Sequence, residues 1–87
     1  MTLQRQVTLT NPEGLHIRVG VKLVEEARRF QSEISISSDD SEVNSKDIMA
    51  VLTLGAAQGT LLTIKAKGDD AEAAVIHLEK LFVDEFK

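Results

Sequence analysis

The chain has 87 residues, 43% of them hydrophobic, and a formal net charge of −4 at pH 7. That length predicts one domain over residues 1–87, a compact two-layer fold that buries about 60% of its unfolded surface. With no Cys, Trp or Tyr, the composition excludes disulfide and thiol chemistry and leaves only two histidines and carboxylates for a metal. It also offers neither a basic stripe nor an aromatic platform for nucleic acid.

The polar start Met1–Gln6 lacks a signal-peptide core, and no apolar run approaches the ~20 residues of a membrane span. A cytoplasmic protein is therefore expected. Leu3, Val7 and Leu9 alternate with polar residues as in a half-buried strand, although Arg5 breaks the pattern. Asn11-Pro12-Glu13-Gly14 is a loop. From Ile17 to Phe30 the period becomes helical, with Gly20, Leu23, Val24, Ala27 and Phe30 on the core stripe and Glu25, Glu26, Arg28 and Arg29 largely toward solvent.

Ile34 and Ile36 alternate with Glu33, Ser35 and Ser37 as a second strand, and Ser38-Asp39-Asp40-Ser41 is turn chemistry before a short return strand, Glu42-Val43-Asn44. Asp47 reads as the N-cap of a short helix over Ile48–Leu54 that stops at or soon after Gly55. A turn at Gln58-Gly59-Thr60 leads into a strand in which Leu62, Ile64 and Ala66 alternate with Leu61, Thr63, Lys65 and Lys67. Gly68-Asp69-Asp70 opens the last helix, with Asp69 and Asp70 as a cap and turn pair, and its core stripe is Ala71, Ala74, Val75, Leu78, Leu81 and Phe82. His77 borders that stripe as a partly exposed structural histidine. The order β-α-β-β-α-β-α predicts an α+β fold, an antiparallel sheet with its helices on one face.

The chemistry concentrates at Gly14-Leu15-His16-Ile17-Arg18. A helix start presents unpaired N–H groups and a partial positive charge, which suit an anion. A neutral imidazole there is a competent nucleophile, and a nearby guanidinium can pair with phosphoryl oxygens. An isolated His-x-Arg is also compatible with a histidine that merely occupies a turn.

This stretch resembles the active-site Gly-Leu-His-Ala-Arg-Pro-Ala of HPr, the histidine-containing phosphocarrier family of the bacterial phosphotransferase system. A second segment, Val43–Ala56 with Lys46-Asp47-Ile48-Met49 and Leu54-Gly55, resembles that family's Lys-Ser-Ile-Met signature. The resemblance covers essentially the whole chain. It implies the HPr-like open-faced β-sandwich, a four-stranded antiparallel sheet covered on one face by three helices.

It also implies that His16 carries the phosphoryl group on Nδ1, with Arg18 and the backbone of Ile17 and Arg18 against its oxygens. The implied partners are enzyme I as donor and enzyme IIA domains or regulatory proteins as acceptors. They dock on an apolar patch of Ile17, Val21, Ile48, Met49 and Leu52. No cofactor, metal, nucleic acid or membrane insertion is implied, and the expected state is a monomer that is itself no enzyme.

The chain departs from the family pattern at three places. Val19 and Gly20 stand where proline and alanine are usual, which predicts a looser active-site turn. Asp47 stands where many members carry a regulatory serine. It reads as an ordinary helix cap or as a fixed charge that partly imitates phosphoserine. A regulatory binding module built on Asp47 is therefore the alternative to a phosphocarrier.

Overall fold

The computed structural model describes residues 1–39 and 41–86. Period-two alternation yields the strands β1 (Thr2–Thr8), β2 (Glu33–Ser38), β3 (Ser41–Asn44) and β4 (Leu61–Lys67). Helical periodicity yields α1 (Ile17–Ala27), α2 (Ile48–Thr53) and α3 (Ala71–Lys80), the last continued by π-helical turns over Leu81–Glu85. The strands pair throughout as one antiparallel sheet in the order β1-β4-β2-β3.

β4 is an inner strand, and its alternation is the cleanest in the chain. Leu62, Ile64 and Ala66 are buried while Leu61, Lys65 and Lys67 are exposed. The register sets Val7 opposite Leu62, Ile36 opposite Ile64 and Ile34 opposite Ala66, so one apolar face runs across three strands. Leu23, Val24 and Ala27 of α1, Val51 of α2, and Ala71, Ala74, Val75 and Leu78 of α3 join that face in a single core. Each fully buried Leu or Ile contributes about 1.5–3 kcal/mol. Phe82 and Phe86 close one end of the core with rings edge to face at 5.0 Å.

Arg5 pairs directly with Ile64, so it points to the covered side of the sheet. It is tolerated there because β1 is an edge strand. The side chain runs outward and brings Nε to 3.8 Å from Glu79 Oε1 on α3.

Four expectations need correction. α1 ends at Ala27 rather than Phe30: the N–H groups of Arg29 and Phe30 turn back to Glu26 O and Ala27 O, three residues earlier. Phe30 still packs on the core and lies 5.6 Å from the His77 ring. Leu9 lies beyond β1 yet is fully buried, because Leu9 N–H donates to Thr60 O and Leu9 O accepts from Gly59 N–H.

Glu26 is not a solvent-side residue, since its side chain is only 14% exposed. It meets His77 Nε2 at 2.6 Å, Arg29 at 3.0 Å and Lys22 at 3.7 Å. The His77 contact, with the two cations behind it, holds the Glu26 carboxyl below the ordinary glutamate range. Asp70 occupies the N-cap position of α3 without capping it. Its carboxylate instead accepts from the Ser32 hydroxyl and from the N–H groups of Gln31 and Ser32. Those bonds, led by the Ser32 hydroxyl, hold the Asp70 carboxyl low.

Candidate functional site

The loop before α1 is built on Gly14. Its φ is +69°, and a Cβ there would stand 2.6 Å from Ala56 O, so only glycine fits. Leu15 N–H donates to that same Ala56 O at 2.9 Å. Asn11 Nδ2 donates to Gly14 O and closes the turn from the other side. Together these bonds hand the chain to His16 in an extended conformation, φ −83° and ψ 176°, as the N-cap residue of α1.

The His16 side chain turns back over the start of its own helix. Nδ1 accepts from Arg18 N–H at 3.2 Å, so that nitrogen holds the lone pair and the proton of the neutral ring belongs on Nε2. A nucleophilic nitrogen thus faces amide donors and the positive end of the α1 dipole. On the opposite edge, Nε2 lies 3.3 Å from Glu13 Oε1, without the alignment of a hydrogen bond and with no other partner among the described residues. Arg18 Nη2 reaches the same oxygen at 3.8 Å, and the Arg18 side chain is 83% exposed.

His16, Glu13, Arg18, Val19, Lys22, Asn11, Glu85 and Phe86 line a cleft of about 310 Å³. Asn11 Oδ1 lies buried there without a partner among the described residues. A larger hollow of about 470 Å³ lies on the uncovered sheet face, lined by polar residues that include Ser35, Glu42 and Lys65. It contains no histidine, and the Lys65–Glu42 contact at 3.7 Å crosses it. Among the described residues no group of three or more His, Cys, Asp or Glu is placed to hold a metal ion, and no helix is long and apolar enough to cross a membrane.

Val19 and Gly20, the departures for which a looser turn is expected, both pack inward. Val19 is buried in the core, and Gly20 lies under α2. A Cβ on Gly20 would meet Leu52 Cδ2 at 3.1 Å and Ile48 Cδ1 at 3.4 Å. This close approach sets α2 beside the start of α1. Ile17 and Val21, one turn apart on α1, are exposed, and so is Met49 on α2. Ile48 and Leu52 are half-buried, and Ile48 packs against the core, so it serves the interior as well as the surface. Of the residues of the expected patch, Ile17, Val21 and Met49 are thus exposed, and Ile48 and Leu52 lie half-buried between α1 and α2.

Asp47 caps α2: its Oδ1 accepts from Met49 N–H at 3.1 Å and from Ala50 N–H at 3.3 Å. Glu13 and Asn11 are the site residues that sequence reasoning passed over. Their only signal was position in the turn just before the histidine.

Comparison with known proteins agrees with this geometry. The family described as PTS HPr component, phosphorylation site, matches residues 3–84. The phosphocarrier protein HPr of Buchnera aphidicola is 42% identical over 81 residues, covering 93% of this chain and 95% of the relative. That of Xylella fastidiosa is 40% identical over 84 residues, covering 97% and 94%. The crystal structure of HPr-C-His from Thermoanaerobacter tengcongensis superposes with a TM-score of 0.92 at 34% identity, covering 97% of this chain and 94% of that one. A histidine at a helix start, on an open-faced sandwich whose sequence matches over residues 3–84, makes this chain a member of the HPr family of phosphocarriers of the phosphotransferase system.

Proposed function

We propose that residues 1–87 act as one carrier domain that takes a phosphoryl group on His16 Nδ1 from phosphorylated enzyme I and passes it to enzyme IIA domains in the cytoplasm. The observation that carries this reading is the direction of Nδ1, whose lone pair accepts from the Arg18 N–H in the first turn of α1. On phosphorylation the phosphoryl oxygens take over the N–H groups of Ile17 and Arg18, which have no intrahelical acceptor. The Arg18 guanidinium leaves Glu13 and pairs with an oxygen, a short swing for so exposed a side chain. The N–P bond is reactive, and these contacts lie at the surface, so the group is held without being trapped.

Ile17, Val21 and Met49, with the half-buried Ile48 and Leu52, form the docking face. A small apolar patch rimmed by polar groups suits brief encounters with several partners. Asp47 serves as the α2 cap, and its engaged carboxylate favours that role over a fixed regulatory charge.

Incubation with phosphoenolpyruvate and enzyme I, followed by intact mass measurement and site mapping, tests the proposal. One acid-labile phosphoryl group on His16 is expected. Replacing Met49 with Glu weakens the enzyme I complex and leaves the melting temperature unchanged. A protein that stays unlabelled, or is labelled on His77, refutes the reading.

A further inference from the structure

We propose that Glu13 is a positioning residue for phosphoryl transfer. Its carboxylate steadies the Nε2 edge of His16 and neutralises the positive charge that the ring gains when Nδ1 is phosphorylated. This inference rests on His16 being the phosphoryl acceptor.

The geometry divides the ring into two edges. Nδ1 is engaged by Arg18 N–H, which places the proton on Nε2. Nε2 is buried and has no hydrogen-bond partner among the described residues, and Glu13 Oε1 stands 3.3 Å away. The contact is close but poorly aligned, as expected of a bond that tightens once charge develops. The same oxygen also touches Arg18 at 3.8 Å, so one carboxylate borders both groups assigned to the transfer.

In the acceptance step the Nδ1 lone pair attacks phosphorus. The N–P bond forms as the bond to the donor's leaving atom breaks, and that atom keeps the electron pair. No proton leaves Nε2, so the ring becomes a cation. The phosphoryl oxygens lie on the Nδ1 edge and Glu13 lies on the Nε2 edge. The carboxylate is thus nearer to the ring's positive charge than to the phosphoryl's negative charge, which the Arg18 guanidinium and the first α1 amides offset on the other edge. Onward transfer returns the bonding pair to Nδ1, and the ring is neutral again. Lys22 and Glu85 are the other charged residues of this cleft.

The test compares the native protein with Glu13→Gln and Glu13→Asp, phosphorylated in one arm through enzyme I and in the other by phosphoramidate, which needs no partner. In Glu13→Gln, kcat for acceptance from enzyme I falls about threefold with KM unchanged, and phospho-His16, its ring charge no longer offset, survives only about a third as long in neutral water, the scale of an exposed ion pair. Glu13→Asp lies between the two, and Glu25→Gln, an exposed carboxylate of α1 outside the cleft, matches the native protein. The lifetime is a readout that a purely structural role in the turn leaves unmoved. Equal rates and lifetimes, or faster acceptance by Glu13→Gln, overturn the proposal. A native protein labelled on His16 by phosphoramidate and not by enzyme I refutes the carrier reading, while the lifetime comparison still decides on Glu13. If neither donor labels His16, both readings fall.

Discussion

The protein contains two histidines, each with a glutamate at its Nε2 and an arginine on that glutamate, and the two assemblies differ in every quantity that matters. At His77 the carboxylate is 14% exposed, the contact is 2.6 Å, and the ring leans on Phe30. At His16 the carboxylate is 69% exposed, the contact is 3.3 Å and unaligned, and the ring borders an open cleft. The first arrangement ties α1 to α3. The second leaves a lone pair pointing at a helix start, where a ligand can replace what the backbone now supplies. The same residue types make a clamp when desolvated and a poised acceptor when left at the surface.

Removal of the rings gives the widest separation. His16→Ala loses all phosphorylation by enzyme I with its melting temperature almost unchanged, whereas His77→Ala is still labelled and melts lower. Intact mass and thermal unfolding on the two variants read both halves at once. A His77→Ala protein that is not labelled breaks the comparison.

The two arginines provide the next contrast. Arg18→Ala slows transfer by about tenfold, equivalent to ~1.4 kcal/mol of barrier, because an oxygen contact is lost. It leaves folding stability alone, since the Arg18 side chain is 83% exposed. Arg29→Ala leaves the transfer rate alone and costs at most about 0.5 kcal/mol, because the Arg29 side chain lies just past the end of α1 and is 64% exposed. Stopped transfer assays and urea unfolding distinguish them.

The smallest expected effect is a pH dependence. The Glu26 carboxyl is held below the ordinary value of 4.5 in the folded protein. Its unfolded form therefore binds a proton first, and its contribution is complete above about pH 5, fading as pH falls below 4.5 through the folded value. Glu26→Gln is accordingly less stable than the native protein at neutral pH by about 1 kcal/mol, and the gap closes as pH falls through the folded value. Urea unfolding of both proteins across that range checks it. A gap that persists at low pH assigns the loss to packing rather than charge.

Much of this molecule is legible in its sequence, and the exceptions share a cause. The alternation of Leu62, Ile64 and Ala66 gave β4 its bounds, and Asp47 marked the start of α2, because local pattern decides both. His16 and Arg18 stood out by motif, and the structure adds the direction of Nδ1. Glu26 looked solvent-facing because its partner His77 lies 51 residues away, beyond any helical wheel. Asp70 looked like a cap for the same reason: its real partners are Gln31 and Ser32 on a distant loop. Phe30 continued the stripe without continuing the helix, since core contact can hold a side chain after the backbone has turned away. Gly20 looked like a weakness by propensity, yet it is the close approach that seats α2.

The contact between Gly14 and Ala56 ties together two stretches that are distant in sequence. Leu15 N–H and the bare face of Gly14 both rest on one carbonyl of the loop that follows α2. The histidine's loop and the helix bearing Met49 are therefore strapped into one rigid piece. If Met49 belongs to the docking face, as proposed, the imidazole stands at a fixed offset from that face, with no search of loop conformations after contact. On that reading donor and acceptor share one docking geometry, so a cargo taken from the first is already in position for the second.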